Sequence, residues 1–295
     1  MAERIIPIVM EDDSKDEDPS SDTEQKIEKP MEQLSIKSNK PTVQVKPMPK
    51  SNMQEEYLRE FDVFEDRRQF TLPIANVPEK LVLVIDRAQD ENFTPFILNN
   101  SKFTPLSMLK RAVHMFIKLK NTINKHNEFA IIVLNENNAK LLLHFTSDMR
   151  KLKDAVNKIS KCEVEDTFNL NSLFDEIRAN IVMPDPTVKE EIPPSHIVRT
   201  VIFYGRSYTI PKFEPSERIQ RLLKNPYFIC DVLITHEPVE ASNYCKKIFN
   251  ALQSIDKNGL AYFFPVCRDT RRLHNCAAKL LGHPLQRPIQ KLQKT

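Results

Sequence analysis

Between Leu273 and Pro288 the chain reads LHNCAAKLLGHPLQRP, which sets His274, Cys276 and His283 close together. Imidazole nitrogens and a thiolate are common zinc ligands, so a metal site is the first chemistry to weigh. Spacing argues against it. On one helix His274 and Cys276 are two apart and point to different sides, and His283 lies beyond a helix end marked by Gly282 and Pro284. Cys276 reads more simply as a small buried core residue. Packing leaves His283, Pro284, Leu285, Gln286, Arg287 and Pro288 unexplained. The two outer prolines should hold this string extended, with Leu285 and Arg287 projecting as an apolar and a charged anchor for a protein partner.

Other reactive groups carry less. Cys162 sits near Glu163 and Glu165, which should raise a thiol pKa rather than activate it. His114 and His144 fall within a helix and a strand and read as hydrogen-bonded structural residues. There is no Gly-x-Ser-x-Gly turn for a hydrolase and no paired-His zinc motif on a helix. The chain has 3 glycines, Gly205, Gly259 and Gly282, too far apart for a phosphate-cradling loop. No cofactor is expected.

Five cysteines without a CxxC pair suit reduced thiols, and no apolar run approaches the ~18 residues of a membrane helix. A soluble intracellular protein is expected. The net charge of +3 is unevenly spread: residues 1–32 hold eleven acids and four bases (−7), residues 268–295 seven bases and one acid (+6). With no aromatic residues among those bases, protein contact is favoured over nucleic acid.

Residues 1–50, acidic and Pro/Lys-rich, cannot bury enough apolar surface to offset their ordering entropy and are expected to be disordered. Residues 51–76 form a linker in which Met53, Tyr57, Phe61 and Phe64 have helical spacing, for docking on the parent domain or a partner. A folded domain is expected over 77–283 and an extended docking segment over 284–295. Within the domain, strands are expected at 80–86, 128–135, 139–145, 198–205, 227–236 and 260–266. Amphipathic helices lie between them and one closes the domain. The three-residue link between the second and third strands cannot carry a parallel crossover, so that pair is antiparallel. The order β-α-β-β-α-α-β-α-β-α-β-α predicts a three-layer α/β sandwich with a mostly parallel six-stranded sheet.

This order, from about Val77 to His283, resembles the von Willebrand factor A domain. Many members bind a divalent metal where the strand order reverses, through Asp-x-Ser-x-Ser, a later Thr, and an Asp after the fourth strand. Here Asp86 and Thr167 match, Ala88 and Asp90 replace the two serines, and Gly205 and Arg206 stand where the last acid belongs. The resemblance therefore implies a degenerate site, with no metal. The alternative is an adhesion-type domain that captures an acidic partner through a metal on Asp86, Asp90 and Thr167, with Asp90 and Glu91 as possible oxygen donors.

The segments HNEFAIIVLNENNA, DTFNLNSLF, PPSHIVRTVIFY, PYFICDV and LHNCAAKLLGHPLQRP agree, in order and spacing, with a narrower family. The chain is similar to the small von Willebrand A-like scaffold subunits of two deubiquitinase assemblies, BRISC and BRCA-one A. The resemblance implies a non-catalytic adaptor that binds the BRE subunit, built from ubiquitin-conjugating-enzyme-like domains. A zinc metalloprotease and an Abraxas-type scaffold would share the assembly, which removes lysine-sixty-three-linked ubiquitin chains. It also implies a place in the cytoplasm and nucleus and in the DNA-damage response.

Overall fold

Leu81, Val82, Leu83, Val84 and Ile85 form an unbroken apolar run that needs cover on both faces. In the computed structural model, which describes residues 58–65, 75–184, 193–240 and 242–291, all five are fully buried. The expected tail over 1–50 lies outside the described residues, as do Met53 and Tyr57.

A 3-10 turn at Glu60–Asp62 precedes β1 (Phe64–Glu65). Then come β2 (Glu79–Asp86), a hairpin of β3 (Phe96–Leu98) and β4 (Ser101–Phe103), and α1 (Pro105–Ile123). Next are β5 (Glu128–Leu134), β6 (Ala139–Thr146), α2 (Met149–Lys158), β7 (Phe168–Asn169) and α3 (Asn171–Asn180). The chain continues through β8 (Ile197–Tyr204), β9 (Pro211–Lys212), α4 (Glu217–Leu223) and β10 (Phe228–His236). It closes with α5 (Cys245–Gln253), β11 (Phe263–Cys267), α6 (Thr270–Lys279) and β12 (Ile289–Gln290).

The main sheet has the order β11-β10-β8-β2-β5-β6. Every pairing is parallel except β5 with the edge strand β6. Alternate residues of β2 face two cores. Leu81, Leu83 and Ile85 meet α1, α2 and α6 through Val113, Val156 and Leu273. Val82 and Val84 meet α3, α4 and α5 through Phe174, Ile219 and Leu252. This is the von Willebrand A-like three-layer sandwich. Short polar side chains begin the helices: Thr104, Asp148, Ser216 and Asp269 each accept a backbone N–H of the first turn.

Three details depart from the sequence reading. Asn99 and Asn100 take left-handed φ values of 48° and 62°, turning the β3–β4 hairpin that the apolar pattern hides. The last sheet strand begins at Phe263 instead of Leu260, because the Tyr262 N–H donates to the Asp231 carboxylate at 2.7 Å. Finally, folded structure passes both expected bounds, 77 and 283. Phe61 lies buried 4.5 Å from the Phe249 ring, and β1 pairs antiparallel with β12. The described part of the linker thus docks on its own domain.

Candidate functional site

The crevice of an open α/β sheet opens where neighbouring strands leave in opposite directions, here at the carboxyl ends of β2 and β8. Asp86 ends β2 and is 1% exposed. Its Oδ1 accepts the Ala88 N–H at 3.1 Å and its Oδ2 accepts the Gly205 N–H at 3.1 Å. Arg206, fully buried, donates from Nε to both carboxylate oxygens at 3.2 and 3.3 Å. The same guanidinium donates to the carbonyls of Asn135 and Glu136 and lies 4.3 Å from the centre of the Phe168 ring. A cation supplied by the chain itself therefore occupies the crevice floor.

The other two expected residues stand apart from this pair. Asp90 is half-buried, and burial together with the Glu237 carboxylate pushes its pKa above the usual range. Thr167 lines a separate polar groove of about 290 Å³ with Asn137, Asn169 and Lys212. These residues do not fit a hard divalent ion. Asp86 is already satisfied by two amides and a guanidinium, Ala88 offers no donor, and Arg206 would repel a cation. Among the described residues no group of three or more His, Cys, Asp or Glu side chains could hold a metal.

At the opposite end of the sheet the C-terminal string folds back. Leu285 is fully buried and Arg287 is 6% exposed, so neither projects. The segment is a turn instead of an extended strand: the N–H groups of Gln286 and Arg287 both donate to the His283 carbonyl at 2.9 Å. Only Gln286 and Pro288 of the six expected contact residues are exposed; His283 and Pro284 are buried. The cause is electrostatic. Arg287 donates to both oxygens of the buried Asp231, at 3.0 and 2.5 Å, and stacks 3.6 Å from the Tyr262 ring centre. Asp231 also holds Arg199, which reaches Glu79 at 3.0 Å, and Glu79 pairs with Lys120.

This five-charge chain also caps α6. Arg199 donates to the Leu280 carbonyl at 2.7 Å and the Gly282 carbonyl at 3.2 Å, and Lys120 donates to that of Leu281 at 3.2 Å. Burial alone would raise the pKa values of Glu79 and Asp231, but their cationic neighbours outweigh it and hold both below the ordinary range. Gly282 was expected to mark the end of α6 and does follow its last turn, with a φ that is not positive. Its missing Cβ lets the Arg287 side chain approach, since a Cβ there would come within 3.3 Å of Arg287 Cβ.

His283 donates from Nε2 to the Val77 carbonyl at 3.1 Å and accepts the Leu285 N–H on Nδ1 at 3.1 Å, which fixes a neutral tautomer. Burial brings its pKa down to about 4. His274 is engaged within α6, bonded to the Thr270 carbonyl at 2.7 Å, and Cys276 lies in the core. The Cys162 thiol is pushed up to about 11 by burial and by Glu136, in place of Glu163 and Glu165. His114 donates to the Asn157 side chain at 3.0 Å. No described helix is long and apolar enough to cross a membrane.

Fold and crevice together define a von Willebrand factor A-like module whose switch-point cleft is filled by its own arginine. No family model matches the chain. It is 35% identical over 225 residues to BRISC and BRCA1-A complex member 1 of Danio rerio, a match covering 74% of this chain and 60% of that protein. The protein of the same name from Homo sapiens is 34% identical over 228 residues, covering 75% and 69%. For Xenopus laevis the figures are 34% over 226 residues, 75% and 68%. The chain belongs to the BRISC and BRCA1-A complex member 1 family. Solved structures similar to it include the SpRpn10 VWA domain, with 13% identity and a TM-score of 0.42 over 72% of this chain and 98% of that one. A second is the PilB minor pilin from Streptococcus sanguinis, with 8% identity and a TM-score of 0.47 over 72% and 62%.

Proposed function

We propose that the chain is a non-catalytic scaffold subunit of a BRISC- or BRCA1-A-type assembly. In that reading it binds a BRE-type subunit directly and works alongside a zinc metalloprotease and an Abraxas-type scaffold. It supports removal of lysine-sixty-three-linked ubiquitin chains, in the cytoplasm and nucleus and in the DNA-damage response. The observation that carries the reading is the Arg206–Asp86 pair, which fills the one crevice where a domain of this class would hold a metal. Relatives named as members of a complex point the same way.

Within the C-terminal string the surface offered to the BRE-type subunit is Gln286 and Pro288, the exposed pair. Substituting Leu285 or Arg287 would test the fold before it tested binding, since both are buried. Co-expression of the full chain with the BRE-type subunit of the same organism provides the test. The full chain co-purifies, and Gln286→Glu with Pro288→Glu lowers recovery at least tenfold while leaving the melting temperature unchanged. Failure of the full chain to co-purify would sink the scaffold reading. Undiminished recovery of the double variant would move the contact elsewhere on the domain.

A further inference from the structure

Helices α3 and α4 lie side by side on one face of the sheet and leave a groove of about 480 Å³ between them. Its floor is apolar, with Ile181, Met183 and Leu222, and its rim is Arg178, Arg218 and Arg221. Beside it Val182 is 82% exposed. Arg178 shares a partly exposed ion pair with Asp175 at 3.3 Å. Arg218 and Arg221 have no carboxylate partner among the described residues. They are three apart on α4, so two like charges face the same side of one turn and repel each other. A domain that needed only solubility could place either charge elsewhere on the helix. An anionic ligand would turn that repulsion into attraction, and guanidinium groups match carboxylates with paired hydrogen bonds.

We infer that this groove docks an acidic, amphipathic peptide segment of a partner protein. One or two aliphatic side chains enter the floor and carboxylates meet Arg178, Arg218 and Arg221. Nucleic acid fits less well, because no aromatic side chain lines the groove for a base to stack on. The flexible Met183 side chain suits the floor to aliphatic anchors of varied shape. The inference stands apart from the scaffold reading: it names a surface on the face away from α1, α2 and α6, and requires no BRE-type subunit.

Fluorescence anisotropy on the full chain tests it. The probes are a labelled fifteen-residue peptide with Leu at every third or fourth place and Glu between, its Glu→Gln counterpart, and a labelled single-stranded oligonucleotide. The acidic peptide binds. The Gln peptide binds at least tenfold more weakly, and Arg218→Glu with Arg221→Glu weakens the acidic peptide at least tenfold without shifting the melting temperature. Met183→Glu, which leaves both arginines in place, lowers affinity again. No binding of the acidic peptide overturns the inference, as does equal binding by the Arg218→Glu, Arg221→Glu chain. Tighter capture of the oligonucleotide, lost in the same variant, would assign the groove to nucleic acid. Sedimentation showing a concentration-dependent dimer abolished by the variant would assign it to a second copy.

Discussion

Arg206 and Asp86 satisfy one another where water does not reach, so neither tolerates removal of the other. Arg206→Ala leaves a buried carboxylate with two amides and no cation. It should cost about 3–5 kcal/mol, read as a lower urea midpoint at constant slope. A loss under about 1 kcal/mol would mean that solvent reaches the crevice floor. Opposing charge at this position was legible in the sequence, because Arg206 stands where an acid belongs in the metal-binding pattern. The chain from Lys120 to Arg287 was not legible, since its members are scattered over α1, β2, β8, β10 and the turn that follows α6. A signal existed all the same: Arg199 and Asp231 are single charges inside otherwise apolar strand runs, and a buried charge demands a partner. Two histidines give these residues a pH signature. Burial lowers His236 and His283 from 6.5 to about 4. Between those values the unfolded chain binds more protons, so stability falls as pH drops from 6.5 towards 4, and the histidines add no slope above 6.5. His196 shifts in the same direction. Urea midpoints should therefore be lower at pH 5 than at pH 7, with a smaller difference in His283→Gln. A flat profile would contradict the burial of these rings.

At the scale of elements, the sheet has two edges and closes both with side chains. On β6 the Ala139 N–H donates to Ser172 Oγ at 3.0 Å and the Leu141 N–H to Glu176 Oε1 at 2.9 Å, both acceptors standing on α3. On β11 the Gln290 side chain acts as a surrogate strand. Its Oε1 accepts the Phe263 N–H at 2.7 Å, and its Nε2 donates to the carbonyls of Phe263 and Phe61 at 3.0 and 2.7 Å. Pro265 has no N–H to offer, and its carbonyl takes a bond from Arg272 at 2.9 Å. Gln290→Ala strands buried backbone groups and should cost about 1–3 kcal/mol. Hydrogen exchange at Phe263 would rise well above that at Val232, whereas unchanged exchange would show that the edge has another cover. The six strands and the antiparallel pair were readable from apolar runs and the short ENN link. The covers were not, because a Gln near the end of a chain carries no mark of its partner 27 residues upstream.

For the whole molecule, the C-terminal segment is a fold element before it is a docking element. Ending the chain after Gly282 removes Arg287, Leu285 and Gln290 together, and with them one of the two arginines on Asp231. The shortened chain should lose its cooperative melting transition or melt at least 10 °C lower, as scanning calorimetry would report. An unchanged transition would contradict the burial of the segment. Loss of partner binding by such a truncation would therefore carry no information about contacts. Gln286→Glu with Pro288→Glu is the cleaner probe, because those two side chains face solvent.

One consequence of that late-closing segment concerns synthesis. A ribosome releases Glu79, Lys120, Arg199 and Asp231 before Arg287, and Phe263 before Gln290. While the chain grows, the charge network is one cation short and one sheet edge is bare. The domain completes itself only as its last described residues emerge, and until then the nascent protein presents the kind of open strand that chaperones cover.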